Sequence, residues 1–245
     1  MISRQLIDNF IQLFKEKKYQ ELIDNSDMLT TIEDRPSGLS NLIGLSKNLI
    51  NQPSKENIIS SLDDFKDAYL KGKKEIYGME ALCNLITISS YNRNKFPELY
   101  DVIRSTEKLY IEAENNFANN EKLLIAGCNL FKHLINQKKI SEILDKLIKN
   151  NTKSKAVRCN YAYNNNLSYS WDAKKYYEYS QDFKNFFPKF KCKKISEIKY
   201  KDNKKIKLGF ISGNLCNNHS VTYFLKKTFK YKNKNKFEIN IFYFG

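Results

Sequence analysis

Few side chains in this 245-residue chain are placed by type and spacing to do chemistry, and His219 is the foremost of them. It follows an apolar run, Ile206 to Ile211, and a polar loop, Ser212 to Asn218. It precedes Ser220 to Lys230, where Val221, Phe224, Leu225 and Phe229 recur at helical spacing. The order strand, loop, helix sets His219 at a helix mouth, where free backbone N–H groups disfavour an imidazolium. A neutral imidazole there can accept a proton from a hydroxyl. It can equally well hydrogen-bond the helix end and do no chemistry. Cys216 lies in the same loop, but a nucleophilic thiol needs a base or cation beside it, which nearness in sequence does not supply. His133, beside Phe131 and Leu134 in a helical stretch, reads as structural, and the pair Asp63-Asp64 reads as a solvated helix face. Gly209 and Gly213 make no dinucleotide fingerprint, and Walker, HExxH and GxSxG motifs are absent, so no nicotinamide or flavin cofactor is expected. The five cysteines (Cys83, Cys128, Cys159, Cys192, Cys216) form no CxxC pair and read as free buried thiols of a reducing compartment, with no zinc site.

The elements that would position His219 are legible around it. Phe237 to Phe244 is a second strand, so residues 206–245 form a βαβ unit, predicted to be parallel with a right-handed crossover. The run at Ile206 to Ile211 reads as a buried strand. Two parallel strands need further strands and helices on both faces. The chain is therefore expected to be a truncated sequence or half of something larger.

Residues 1–150 carry helical periodicity almost throughout. Leu6, Ile7, Phe10, Leu13 and Phe14 make one stripe, Tyr19, Leu22 and Ile23 begin another, and Leu39, Leu42, Ile43, Leu45 and Leu49 a third. Pro36 marks a helix start, Gln52-Pro53-Ser54 a break, and Ile58, Leu62, Phe65 and Tyr69 a fourth stripe. Similar pairs follow as 76–91 with 96–111 and 119–136 with 140–150. Ser61, Phe65 and Ala68 have the small, large, small spacing of a tetratricopeptide second helix. Gly44, Gly78 and Gly127 fall in first helices, where a small residue permits close packing. The period drifts from about 33 to over 40 residues, which predicts degenerate repeats in a right-handed helical solenoid. Such a solenoid offers its concave side to an extended peptide, or simply carries the domain that follows.

Residues 151–205 differ in texture. Tyrosines and phenylalanines crowd between Tyr161 and Phe187, with Trp171 to Phe187 on helical spacing and Asp172 at its start. Packing between domains is the expected use of these rings, with base stacking on tyrosines beside lysines as the alternative. A Lys-rich linker, Phe190 to Lys205, leads into the first strand. The formal charge is +15, and Lys184 to Lys236 holds sixteen lysines against only Glu197 and Asp202. That excess permits an anionic partner, but the bias toward Lys, Asn and Ile reads first as a solvated face, so nucleic acid is not the expected partner. With no run of eighteen apolar residues and no basic-then-apolar leader, a cytoplasmic protein without a membrane span is expected.

The residues Lys207-Leu-Gly-Phe-Ile-Ser-Gly-Asn214, then Asn218-His219-Ser220-Val221, Phe224-Leu225 and Lys236-Phe-Glu-Ile239 resemble the opening of the catalytic region of the O-GlcNAc transferase/SPINDLY family. Asn164-Asn-Asn-Leu-Ser-Tyr-Ser170 is similar to the stretch that joins repeats to catalytic region there, which extends the resemblance to about eighty residues. Asn214 stands where that family has Asp, and the loop to His219 is one residue longer. The resemblance implies a mainly α fold: TPR-like repeats over 1–150, a connecting region over 151–205, and over 206–245 the first βαβ unit of a Rossmann-like (GT-B) glycosyltransferase lobe. It implies transfer of a sugar, GlcNAc, from a UDP-sugar to protein Ser/Thr hydroxyls without a metal, with His219 in the cleft as candidate base. Residues 1–245 alone are then expected not to transfer sugar. A non-enzymatic helical-repeat interaction module and a basic RNA-binding module are the alternative readings.

Overall fold

The three- and four-residue apolar spacing is realised as helix through the first three quarters of the chain. The computed structural model describes residues 4–26, 29, 35–167, 172–183, 205–213, 215 and 219–243. They fall into two units, Met1–Phe187 and Pro188–Gly245. Among the described residues the first has helices alone: α1 (Arg4–Lys15), α2 (Tyr19–Ser26), α3 (Ser37–Leu49), α4 (Lys55–Lys71), α5 (Ile76–Asn92), α6 (Leu99–Asn116), α7 (Glu121–His133), α8 (Gln137–Lys149), α9 (Lys155–Leu167) and α10 (Ala173–Phe183). Side-chain caps fix several starts. Ser54 accepts from the Asn57 N–H, Asn120 from that of Leu123, and Asn136 from that of Lys139, each worth about 1 kcal/mol.

Each helix packs on its successor, and α1, α3, α5 and α7 also pack one on the next. The main core runs from Ile58 to Val157, with the Tyr110 and Phe131 rings edge to face at 5.4 Å. A smaller cluster, including Phe10, Leu22 and Ile43, joins α1, α2 and α3. The small residues sit where helices approach closely. A Cβ at Gly44 would lie 2.7 Å from the Phe65 ring, at Gly78 2.0 Å from the Gly72 carbonyl oxygen, and at Gly127 2.3 Å from the Tyr110 hydroxyl. Ser61, Phe65 and Ala68 are fully buried. Leu49, by contrast, lies at the end of α3 and is exposed, outside the stripe expected of it.

Beyond residue 150 the helices continue. α9 packs on α8, and α10 on α9. Asp172 accepts from the Lys175 N–H at 2.7 Å as the cap of α10. Tyr161 and Tyr179 meet edge to face at 5.4 Å, and the Tyr179 hydroxyl donates to the Arg158 carbonyl. These two tyrosines are packing residues, while Tyr163 and Tyr177 are exposed. Trp171, Phe186, Phe187 and the linker from Phe190 to Lys204 lie outside the described residues.

In the second unit β1 (Ile206–Ser212) pairs in parallel with β2 (Phe237–Tyr243), from Ile206 opposite Phe237 to Ser212 opposite Tyr243, and α11 (Ser220–Tyr231) connects them. The molecule is thus mainly helical with one small parallel sheet. Phe210 meets Phe229 of α11 edge to face at 5.0 Å, so α11 packs on one sheet face, although Ile206, Leu208 and Ile241 of that face stay exposed. The other presents Ile211 and Phe242 to solvent, correcting the expectation of a buried strand: a single helix packs on a single face of the described sheet. Phe224 is also exposed. Val221, Leu225 and Phe229 follow one i, i+4, i+8 line along α11, and Phe224 falls beside it.

Candidate functional site

The first candidate is the junction of β1 and α11. His219 is the N-cap of α11, with extended φ −105° and ψ 141°. Its carbonyl oxygen accepts from the Thr222 and Tyr223 N–H groups, and its Nδ1 accepts from the Val221 N–H at 3.3 Å. A ring that accepts at Nδ1 carries its proton, when neutral, on Nε2. In that state its remaining capacity is to donate. Accepting a proton at Nε2 would require the other tautomer, with the proton on Nδ1, which gives up the cap. Asn214, Cys216 and Asn218 of the adjoining loop lie outside the described residues.

The second candidate was not legible from motifs. Two adjoining hollows, of about 400 and 350 Å³, run along the first helices of successive pairs and share Ile125 and Asn129. Asn41 of α3, Asn84 of α5 and Asn129 of α7 line them, and the Asn84 amide donates to the Asn41 side-chain oxygen at 2.9 Å. Asn160 of α9 continues the series, whereas the buried Asn164 is engaged by Gln137 and Ser141. An Asn side chain both donates and accepts, the complement of a peptide N–H and C=O. A series of them can hold an extended chain by its backbone without reading its side chains. At the edge Lys122 of α7 pairs with Glu80 of α5 at 2.6 Å, which raises the lysine's pKa through that hydrogen bond. One signal did point here: Asn84 interrupts the otherwise apolar Ala81 to Ile86 of α5, and the abundance of Asn elsewhere hid it.

No protein-family model matches the chain, and no curated protein matches it. The remaining chemical candidates are placed by the geometry alone. His133 ends α7, and its Nδ1 accepts from the Arg93 guanidinium at 2.8 Å; Arg93 also lies 5.5 Å from the Tyr100 ring centre. Burial, then Arg93 and Lys132, lower its pKa. Asp63 is exposed as expected, but Asp64 is not a solvated carboxylate: it is buried between Arg35 and Lys47, each 2.7 Å away. One helical step turns Asp64 from solvent onto α3, where two cations make its burial tolerable. The thiols of Cys83 and Cys128 are pushed up to about 12 by burial and are not nucleophiles. Cys159 is exposed, contrary to expectation, because it lies on the outer side of α9. Cys192 lies outside the described residues. Among the described residues no three or more His, Cys, Asp or Glu side chains gather as a metal site, and no helix is long and apolar enough to cross a membrane.

Proposed function

We propose that this chain belongs to a protein-directed glycosyltransferase, in which the helical unit holds an acceptor segment and β1, α11 and β2 contribute to a nucleotide-sugar-binding lobe. One observation carries the reading. Of the residues between Lys207 and Ile239 that resemble the O-GlcNAc transferase/SPINDLY family, the described ones fall on or beside one parallel βαβ unit, with His219 past the carboxyl end of its first strand, where α/β enzymes bind ligands. The helices then act as degenerate TPR-like repeats stacked as a solenoid, a view supported by the close approaches at Gly44, Gly78 and Gly127. The amide-lined groove takes the acceptor.

In the reaction the Ser or Thr oxygen bonds to the anomeric carbon as the bond to UDP breaks, and the hydroxyl proton passes to a base. His219 enters as that base only after releasing the Val221 N–H. Holding its cap, it donates from Nε2 to a donor oxygen instead. The test is transfer of labelled GlcNAc from UDP-GlcNAc to peptides by the gene product as its cell makes it. We expect transfer, and a loss of about a hundredfold or more in His219→Ala with the fold retained. Capture of peptides with no transfer from any UDP-sugar would overturn the enzyme. It would leave a helical-repeat interaction module, the reading that the groove alone favours.

A further inference from the structure

The groove does not keep one character along its length. Between α3, α5 and α7 the first helices pack directly on one another, and the groove is shallow, with Leu45, Cys83 and Ala126 lining it beside the amides. At α9 the stack changes: α9 packs on α8, and a cleft of about 350 Å³ opens between α7 and α9 with α8 beneath it. Ile125, Ile140, Leu144 and Val157 form its apolar floor, and Leu144 and Val157 are buried. The amides of Asn129 and Asn160 stand at its rim with Lys132 and the exposed Tyr163. No carboxylate lines it, and Lys132 makes no ion pair among the described residues.

We propose that this cleft is the anchor pocket of the groove, taking one large apolar side chain of an extended peptide whose neighbouring acidic residue faces Lys132. The inference rests on the groove binding a peptide, as proposed above, and names which peptide. Three features select this occupant. The cleft opens onto the amide series through the shared Ile125 and Asn129, so a chain held by those amides passes over it. Of its polar groups, Gln137 and the buried Asn164 bond each other, while Asn129 and Asn160 stand at the rim, where a peptide backbone runs, whereas a small-molecule site has free polar groups converging within it. Its single cation is uncompensated, which complements an acidic segment.

The experiment is affinity selection with a randomised library of end-blocked dodecapeptides on the full chain, followed by titration of the selected peptides. We expect one position enriched in Leu, Ile, Met, Phe or Trp, with Asp or Glu within two residues of it. Replacing that apolar residue by Ala should weaken binding about tenfold or more. Cys128→Phe, which fills the cleft, should abolish the apolar preference, and Lys132→Glu should invert the acidic one. Tyr163→Ala, at an exposed position where folding is not at stake, should weaken apolar-bearing peptides several-fold and leave Ala-bearing ones unchanged. Asn84→Ala should weaken all peptides alike. Selected peptides without an apolar position, or with a preference untouched by both Cys128→Phe and Tyr163→Ala, overturn the anchor while leaving the groove. Failure to select any peptide, or indifference to Asn84→Ala, overturns the groove and the anchor with it.

Discussion

Helices α4 and α11 carry comparable apolar stripes and end in different environments. α4 buries Ile58, Ser61, Leu62, Asp64, Phe65, Ala68 and Tyr69, whereas no residue of α11 is buried. The difference is in the neighbours. α4 lies against both α3 and α5, and α11 packs on one face of a two-stranded sheet. An amphipathic pattern therefore says which side of a helix faces protein, and the number of layers around it says how much that side is buried.

Phe65 and Phe229 test this most sharply, since each is a phenylalanine on the inward side of its helix. Phe65→Ala should cost about 3–5 kcal/mol, because the ring is fully buried against Gly44 and leaves a cavity that two flanking helices hold open. Phe229→Ala, at a half-buried site, should cost about 1 kcal/mol in its own unit. Segment-resolved hydrogen exchange in urea separates the two units, and equal losses would break the comparison.

The helices of the first unit were legible because of their apolar stripes, while the Ser54, Asn120 and Asn136 caps set the starts of α4, α7 and α8 two or three residues from where the spacing alone put them. Their ends were harder. Lys17, Gln52, Ile135 and Asn151 hold positive φ in four inter-helix turns where a glycine would have announced the stop. α9 escaped notice because Tyr161 and Tyr163 drew attention to aromatic texture, while its buried side is marked by Val157 together with the polar Arg158 and Asn164. Asp64 and the amide series were invisible for a related reason: whether a polar side chain on a helix meets water or a neighbouring helix is decided by packing that a single helix does not encode. His219 was placed correctly at a helix mouth, yet which of its nitrogens the cap would occupy needed coordinates.

Ile135 turns that observation into a gain. It is β-branched, exposed and held at φ 55° after α7. The Asn136 N–H still bonds the Phe131 carbonyl around it at 2.9 Å, so the turn is set by backbone and not by the Ile side chain. Ile135→Gly should stabilise the first unit by about 1 kcal/mol, relieving left-handed strain. Urea midpoints read it out. A loss in place of a gain would mean that the side chain contributes contacts that outweigh the strain.

The smallest effect expected is acid sensitivity confined to the helical unit. His133 Nδ1 accepts from Arg93, so the bond exists only while that nitrogen is unprotonated, and an imidazolium there would face Arg93 and Lys132. Burial and these two cations hold its folded pKa below the ordinary 6.5. The unfolded chain thus binds the proton first. The contribution is fully present above about pH 6.5 and is lost as pH falls from there through the folded value. His133→Gln removes the titration while leaving an acceptor for Arg93, so the variant's stability should fall less than the parent's between pH 7 and pH 5. Exchange of α5 and α7 amides should follow that difference, because Arg93 ends one helix and His133 the other. If β1 and β2 respond as much as α7, the two units do not unfold independently, and the contrast between α4 and α11 would have to be redrawn as one between parts of a single cooperative fold.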